Sequence, residues 1–163
     1  MKKFKEVAVG GTFDELHRGH KMLLLKAFEV GKHVQIGLTS DDFVLKMGKP
    51  HLTATYKERL GELKAFLRSL NLLDKARIVA ISDPYGTAAS QRSLEAIVVS
   101  DETKIAALGI NKKRSESNLP LLKIIAITMV PSQNCEPIST TRIREGKIDR
   151  EGRLITNPDQ NNT

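Results

Sequence analysis

Short runs rich in aliphatic and β-branched residues recur along the chain at Glu6–Gly10, His33–Thr39, Ala76–Ser82, Glu95–Ser100 and Leu121–Val130, and each predicts a strand. Between them the apolar positions move to helical spacing. Leu16–Val30 and Tyr56–Leu70 are the clearest helices. In the second, Leu60, Leu63, Phe66, Leu67 and Leu70 fall at i, i+3, i+6, i+7 and i+10, a stripe suited to packing on a sheet. Asp101–Lys113 begins with capping residues and predicts a further helix. Strands that alternate with helices pair in parallel, because each crossover returns the chain to the starting end of the sheet.

The expected architecture is α/β: a single Rossmann-like domain over residues 1–155, with a five-stranded parallel sheet and helices on both faces. The 163 residues suit one domain. No repeat or internal linker divides them. The last residues, 156–163, are polar with almost nothing apolar to hold them, and are expected to form a flexible tail. One cysteine, Cys135, excludes an intrachain disulfide and fits a reducing compartment. The longest apolar stretch near the N-terminus, Met22–Leu25, is far short of a membrane span, and the layout of a signal peptide is absent. A cytoplasmic location without a membrane partner is expected.

The net charge of +7 admits nucleic acid as a partner, yet the 26 basic residues are dispersed among 19 acids instead of gathered in a tract. With no Trp and few aromatics, platforms for stacking bases are scarce. A modest positive field equally suits a protein that binds a polyphosphate.

Chemistry concentrates at Val7–His20, which reads VAVGGTFDELHRGH. An apolar strand ending in Gly10-Gly11 lets the backbone pass close to a ligand, since glycine has no Cβ. His17 and His20 then share one face of the first turn of the next helix. That turn also offers unpaired N–H groups and the positive end of the helix dipole, which favour a phosphate. A zinc site is the poorer reading, because the chain has only His33, His51 and Cys135 besides the pair.

A second polar segment lies near the other end of the chain, at Pro131–Gly146. Ser139 is a natural helix N-cap, and Ser139, Thr140 and Thr141 set three hydroxyls beside the N–H groups of a helix start. Arg142 or Arg144 adds a guanidinium suited to bidentate phosphate binding. Asp83-Pro84-Tyr85-Gly86 and Ser100-Asp101-Glu102-Thr103 follow the third and fourth strands, where a parallel sheet places its ligand.

These segments carry a family resemblance. GTFDELHRGH contains the HxGH signature, and Ile138-Ser139-Thr140-Thr141-Arg142-Ile143-Arg144 resembles the ISSTxxR motif of the same nucleotidyltransferases, with Thr140 in place of the second Ser. With Ile36–Asp41, Tyr56-Lys57-Glu58-Arg59-Leu60, Asp83–Gly86 and Val98–Thr103, the match runs from about residue 5 to 150 and is similar to the archaeal and eukaryotic-type phosphopantetheine adenylyltransferases. Bacterial members carry an arginine-containing segment where this chain has Ser100–Thr103, so arginine roles there do not transfer.

The resemblance implies ATP and 4'-phosphopantetheine as substrates, dephospho-coenzyme A and pyrophosphate as products, and Mg²⁺ held mainly by ATP phosphates. It implies no nucleic acid partner and leaves the oligomeric state open. It makes His20 a donor to the α-phosphate and gives His17 a hold on the triphosphate. Thr12 orients the acceptor phosphate, while Gly11, Phe13, Ser100 and Glu102 line the nucleotide. Ser139, Thr140, Thr141 and Arg144 hold the outer phosphates. Lys46 and Lys49 compete to bind the acceptor phosphate, with Lys46 favoured, and Tyr85 borders the pantetheine arm. The rival enzyme reading is a cytidylyltransferase for glycerol phosphate, whose ISTT stretch follows an Arg-Thr pair and a glycine, where this chain has Glu136-Pro137. Adenylyltransferases for nicotinamide or flavin mononucleotide are further rivals. From another class come an RNA-binding module and a fragment of a class I aminoacyl-tRNA synthetase, the latter without its KMSKS-type loop.

Overall fold

In the computed structural model, which describes residues 3–48, 53–101 and 103–127, the predicted alternation becomes strands β1 Phe4–Gly11, β2 Gly31–Thr39, β3 Ala76–Ile81, β4 Ala96–Val99 and β5 Lys123–Ala126. The helices are α1 Arg18–Val30, α2 Asp41–Met47, α3 Tyr56–Ser69 and α4 Lys104–Glu116. All strand pairs are parallel, and the order is β3-β2-β1-β4-β5. The chain therefore winds outward from β1 in one direction through β2 and β3, and in the other through β4 and β5. The reversal between β1 and β4 opens a crevice at their carboxyl ends, where open α/β sheets bind ligands.

Helices cover both faces, as expected. On the first face, Leu23, Leu24, Ala27 and Phe28 of α1 and Leu63 and Leu67 of α3 pack on Val7, Val9, Val34, Ile36, Leu38 and Val98. On the second, Ala107 and Ile110 of α4 and Ala88 of a 3₁₀ turn at Gly86–Ala89 meet Ala8, Ile97 and Val99. Each large aliphatic side chain so buried contributes about 1.5–3 kcal/mol.

The boundaries shift for local reasons. α1 starts two residues later than predicted because His17 is its cap. α4 starts at Lys104 because the Ser100 carbonyl accepts from the amides of Thr103 and Lys104, turning 100–103 ahead of the helix. α2 was not predicted; Ser40 caps it by accepting from Phe43 N, and Gly48 ends it at φ 60°. The apolar stripe of α3 is also centred differently: its buried row is Arg59, Leu63 and Leu67, while Leu70 is exposed. The strand expected at Leu121–Val130 begins at Lys123, and its last residues, like the boundary at 155 and the tail, lie outside the described residues.

A buried arginine ties the second face together. Arg114 on α4 donates to the carbonyls of Ala88, Gln91 and Pro120. Burial, and next the charge of Arg92, hold its pKa below the usual arginine value. Among the described residues no helix is long and apolar enough to cross a membrane.

Candidate active site

At the carboxyl end of β1 the chain turns through Thr12–Leu16 into α1. Phe13 and Glu15 both take φ 50°, a left-handed conformation that costs energy for side chains with a Cβ and is kept where the surroundings over-determine it. The surroundings are visible. The Phe13 side chain is buried, and its ring meets that of His20 edge-on at 5.3 Å. Asp14 is buried and accepts from Ala54 N at 3.1 Å. Arg59, 1% exposed, donates to the Thr12 carbonyl at 3.0 Å and the Ala54 carbonyl at 2.9 Å, and to Thr39 Oγ1 and Asp41 Oδ1. One guanidinium thus joins the turn after β1, the end of β2, the start of α2 and the segment before α3.

The two histidines form the cap of α1. His17 Nδ1 accepts from His20 N at 3.3 Å, and His20 Nδ1 accepts from His17 N at 3.4 Å. The rings stack with centroids 3.6 Å apart and planes 17° from parallel. Gly19 lies against this stack, its missing Cβ leaving room for the His17 ring. Because both Nδ1 atoms act as acceptors, the neutral rings carry their proton on Nε2. The pair is therefore fixed in the tautomer that offers an N–H on the side away from the helix backbone.

A cavity of about 440 Å³ opens at the strand ends. Gly11, Thr12, Phe13 and His20 line it from β1 and its turn, and Ser100 and Thr103 from the turn after β4. Its floor is nearly bare backbone, since Gly10 and Gly37 are direct register partners on the second face. Tyr85 and Thr87 close one side, with Asp83 Oδ1 fixing their turn by accepting from Tyr85 N and Gly86 N. Phe43 and Met47 of α2 reach the rim.

Gly11, Thr12, Phe13, His20, Ser100 and Tyr85 are thus brought to one cavity. His17, 2% exposed, stands behind His20 as cap and stacking partner and is not in the wall. Lys46 is exposed on the last turn of α2, beside Met47 and outside the wall. Lys49, Glu102, Ser139, Thr140, Thr141 and Arg144 lie outside the described residues. Sequence reasoning missed Gln35, Gly37, Thr39 and Thr87 in the wall and gave Arg59 no role. The signal for Arg59 was available: it shares one helical row with Leu63 and Leu67, and a charge in an apolar row has a task.

Comparison with known proteins converges on the same reading. Residues 8–146 match the cytidylyltransferase-like family model. A phosphopantetheine adenylyltransferase of Pyrococcus abyssi is 49% identical over 155 residues, covering 95% of this chain and 98% of the relative. One from Methanothermobacter thermautotrophicus is 42% identical over 154 residues, covering 94% and 92%. A crystal structure of an Archaeoglobus fulgidus protein described as of unknown function superposes with TM-score 0.66 at 34% identity, over 78% of this chain and 89% of that one. Tyrosyl-tRNA synthetase of the same organism superposes with TM-score 0.64 at 10% identity, over 88% and 61%, and so shares the fold alone. This chain belongs to the cytidylyltransferase-like nucleotidyltransferases and, among them, to the phosphopantetheine adenylyltransferase family.

Proposed function

We propose that the protein transfers AMP from ATP to 4'-phosphopantetheine, giving dephospho-coenzyme A and pyrophosphate. The observation that carries this reading is the stacked histidine cap with His20 in the cavity wall at the switch between β1 and β4. An ionised oxygen of the acceptor phosphate attacks the α-phosphorus of ATP in line. The new P–O bond forms as the bond to the β-phosphate oxygen breaks, and the electron pair leaves with pyrophosphate. No proton has to be removed from the nucleophile, so the protein supplies position and charge.

On this reading the His20 Nε2–H donates to the α-phosphate as charge builds there, and His17 holds His20 in register from behind. The glycine floor admits the phosphates close to the backbone, Thr12 orients the acceptor phosphate, and Lys46 or Lys49 brings a cation to it. Ser100 and Glu102 border the nucleotide, and Ser139, Thr140, Thr141 and Arg144 hold the outer phosphates. Magnesium would arrive on the triphosphate as part of the substrate. There it would neutralise the leaving pyrophosphate. The apolar wall beyond the histidines accommodates the pantetheine arm, for which Tyr85 is a border residue. The substrates are small molecules, and the setting proposed is the cytoplasm, without nucleic acid or membrane.

Pyrophosphate release, measured with ATP and with CTP against 4'-phosphopantetheine, glycerol phosphate and nicotinamide mononucleotide, tests the assignment. Turnover is expected with ATP and 4'-phosphopantetheine. Turnover confined to CTP and glycerol phosphate would replace it.

A further inference from the structure

Beyond the histidines the cavity runs along the second face of the sheet, between the 3₁₀ turn and α4, where Ala8, Ile81, Ala107 and Ile110 contribute apolar wall. Into that wall β2 sends a carboxamide. Gln35 sits in the middle of β2 on the same side as Gly37 and Thr39, and is 4% exposed. Its Nε2 donates to the hydroxyl of Thr87, 52 residues away on the 3₁₀ turn. Its Oε1 is buried with no hydrogen-bond partner.

A polar residue in the interior of a central strand is unusual, and a half-satisfied one more so. Native proteins complete nearly all buried carbonyl oxygens, and one left over marks a place that a ligand or an ordered water fills. Nε2 gives one of its two N–H groups to Thr87, while Oε1 has no partner at all, and a partner for that oxygen must bring an N–H or O–H. If phosphate transfer takes place at His20, the part of the acceptor lying farther along this wall is its arm. In 4'-phosphopantetheine the arm begins beside the phosphate with a dimethyl carbon and a secondary hydroxyl and continues as methylenes interrupted by two amides to a terminal thiol; the amides are the N–H donors farther from the phosphate.

We propose that Gln35 is a specificity residue for the acceptor, its Oε1 accepting a hydrogen bond from an amide N–H of the arm, with Thr87 as the positioning residue that holds the carboxamide. The proposal rests on the reaction assigned above. It gives the apolar wall a means of telling an amide-bearing phosphate from one that is merely greasy, because a bare hydrocarbon would leave the oxygen unpaired.

The experiment compares steady-state kinetics of wild type, Gln35→Met and Thr87→Val with ATP and 4'-phosphopantetheine. It includes two analogues in which one amide N–H or the other is replaced by an ester oxygen. Gln35→Met is expected to raise the acceptor KM about tenfold, with the ATP KM and saturated kcat within about twofold. Thr87→Val shifts it the same way by less. In wild type one of the two esters shows the same loss, and in Gln35→Met that ester and the amide substrate perform alike. An unchanged acceptor KM in Gln35→Met, or an ester penalty as large in the variant as in wild type, overturns the proposal. Should Gln35→Met fold poorly, wild type alone decides: if neither ester raises KM, Gln35 has no such role. Failure of wild type to turn over 4'-phosphopantetheine at all removes the reaction assignment, whereas turnover by wild type with an indifferent Gln35→Met removes only this inference.

Discussion

The two faces of the sheet are built by the same strands and serve opposite ends. Toward α1 and α3, β1 and β2 present Val7, Val9, Val34, Ile36 and Leu38, none more than 2% exposed. Toward the cavity the alternate positions are Ala8, Gly10, Gln35, Gly37 and Thr39. Toward the cavity the residues are small except for Gln35, while every position named toward α1 and α3 is a branched aliphatic. The first face spends its volume on close packing, and the second leaves that volume as space for a ligand. Side-chain size separates the two faces at every one of these positions except Gln35.

Arg59 belongs to both regions, so its loss breaks the comparison most severely. Arg59→Met leaves the partly buried carbonyls of Thr12 and Ala54 without their donor and is expected to cost about 2–5 kcal/mol in urea unfolding. It should also lower kcat in whatever fraction stays folded, because the turn carrying Thr12 loses its anchor. Arg59→Lys keeps the charge without the fork and should recover only part of either loss.

His20→Ala tests the chemistry of the second face, at the cost of one cap of α1. A fall in kcat equivalent to about 3–4 kcal/mol is expected, with little change in the ATP KM. The thermal midpoint drops only by what one helix cap is worth, about 1 kcal/mol. An unchanged kcat would take His20 out of the chemistry.

Leu24→Ala tests the first face alone. This side chain is 0% exposed, and its truncation should cost about 3 kcal/mol in unfolding while kcat per folded molecule stays constant. A proportional loss of kcat would mean that the faces are not independent.

The smallest effect is expected at Gly109. A Cβ there would lie 2.7 Å from the Tyr85 ring, over which Lys113 Nζ stands 4.9 Å from the centroid. Gly109→Ala should displace Tyr85 and raise the acceptor KM a few-fold. The better helix propensity, up to about 1 kcal/mol, keeps the melting temperature near its wild-type value.

Much of this was legible in the chain because strand alternation and helix caps are local. The glycine turn, the histidine pair and the strand-helix alternation could all be read without coordinates, and so could the fold class. α2 could not: seven residues beginning at Asp41 give barely two turns of periodicity. The roles of Arg59 and Gln35 depend on partners 47 and 52 residues away, Thr12 and Thr87, which no window of sequence brings together. The division of labour between His17 and His20 was hidden for another reason. Their spacing puts both rings on one helix face, but only burial and the cavity wall show which one stands in front: His17 is 2% exposed, and His20 lines the cavity.

Gly19 carries a last consequence. A methyl on it would sit 2.9 Å from Cε1 of His17. Gly19 is therefore a socket for the His17 ring, and the two stacked imidazoles with that socket work as one component. Grafting the pair onto another scaffold would fail with any larger residue in that place, even with both rings, their spacing and the helix all correct. What must be transplanted is a hole as well as two side chains.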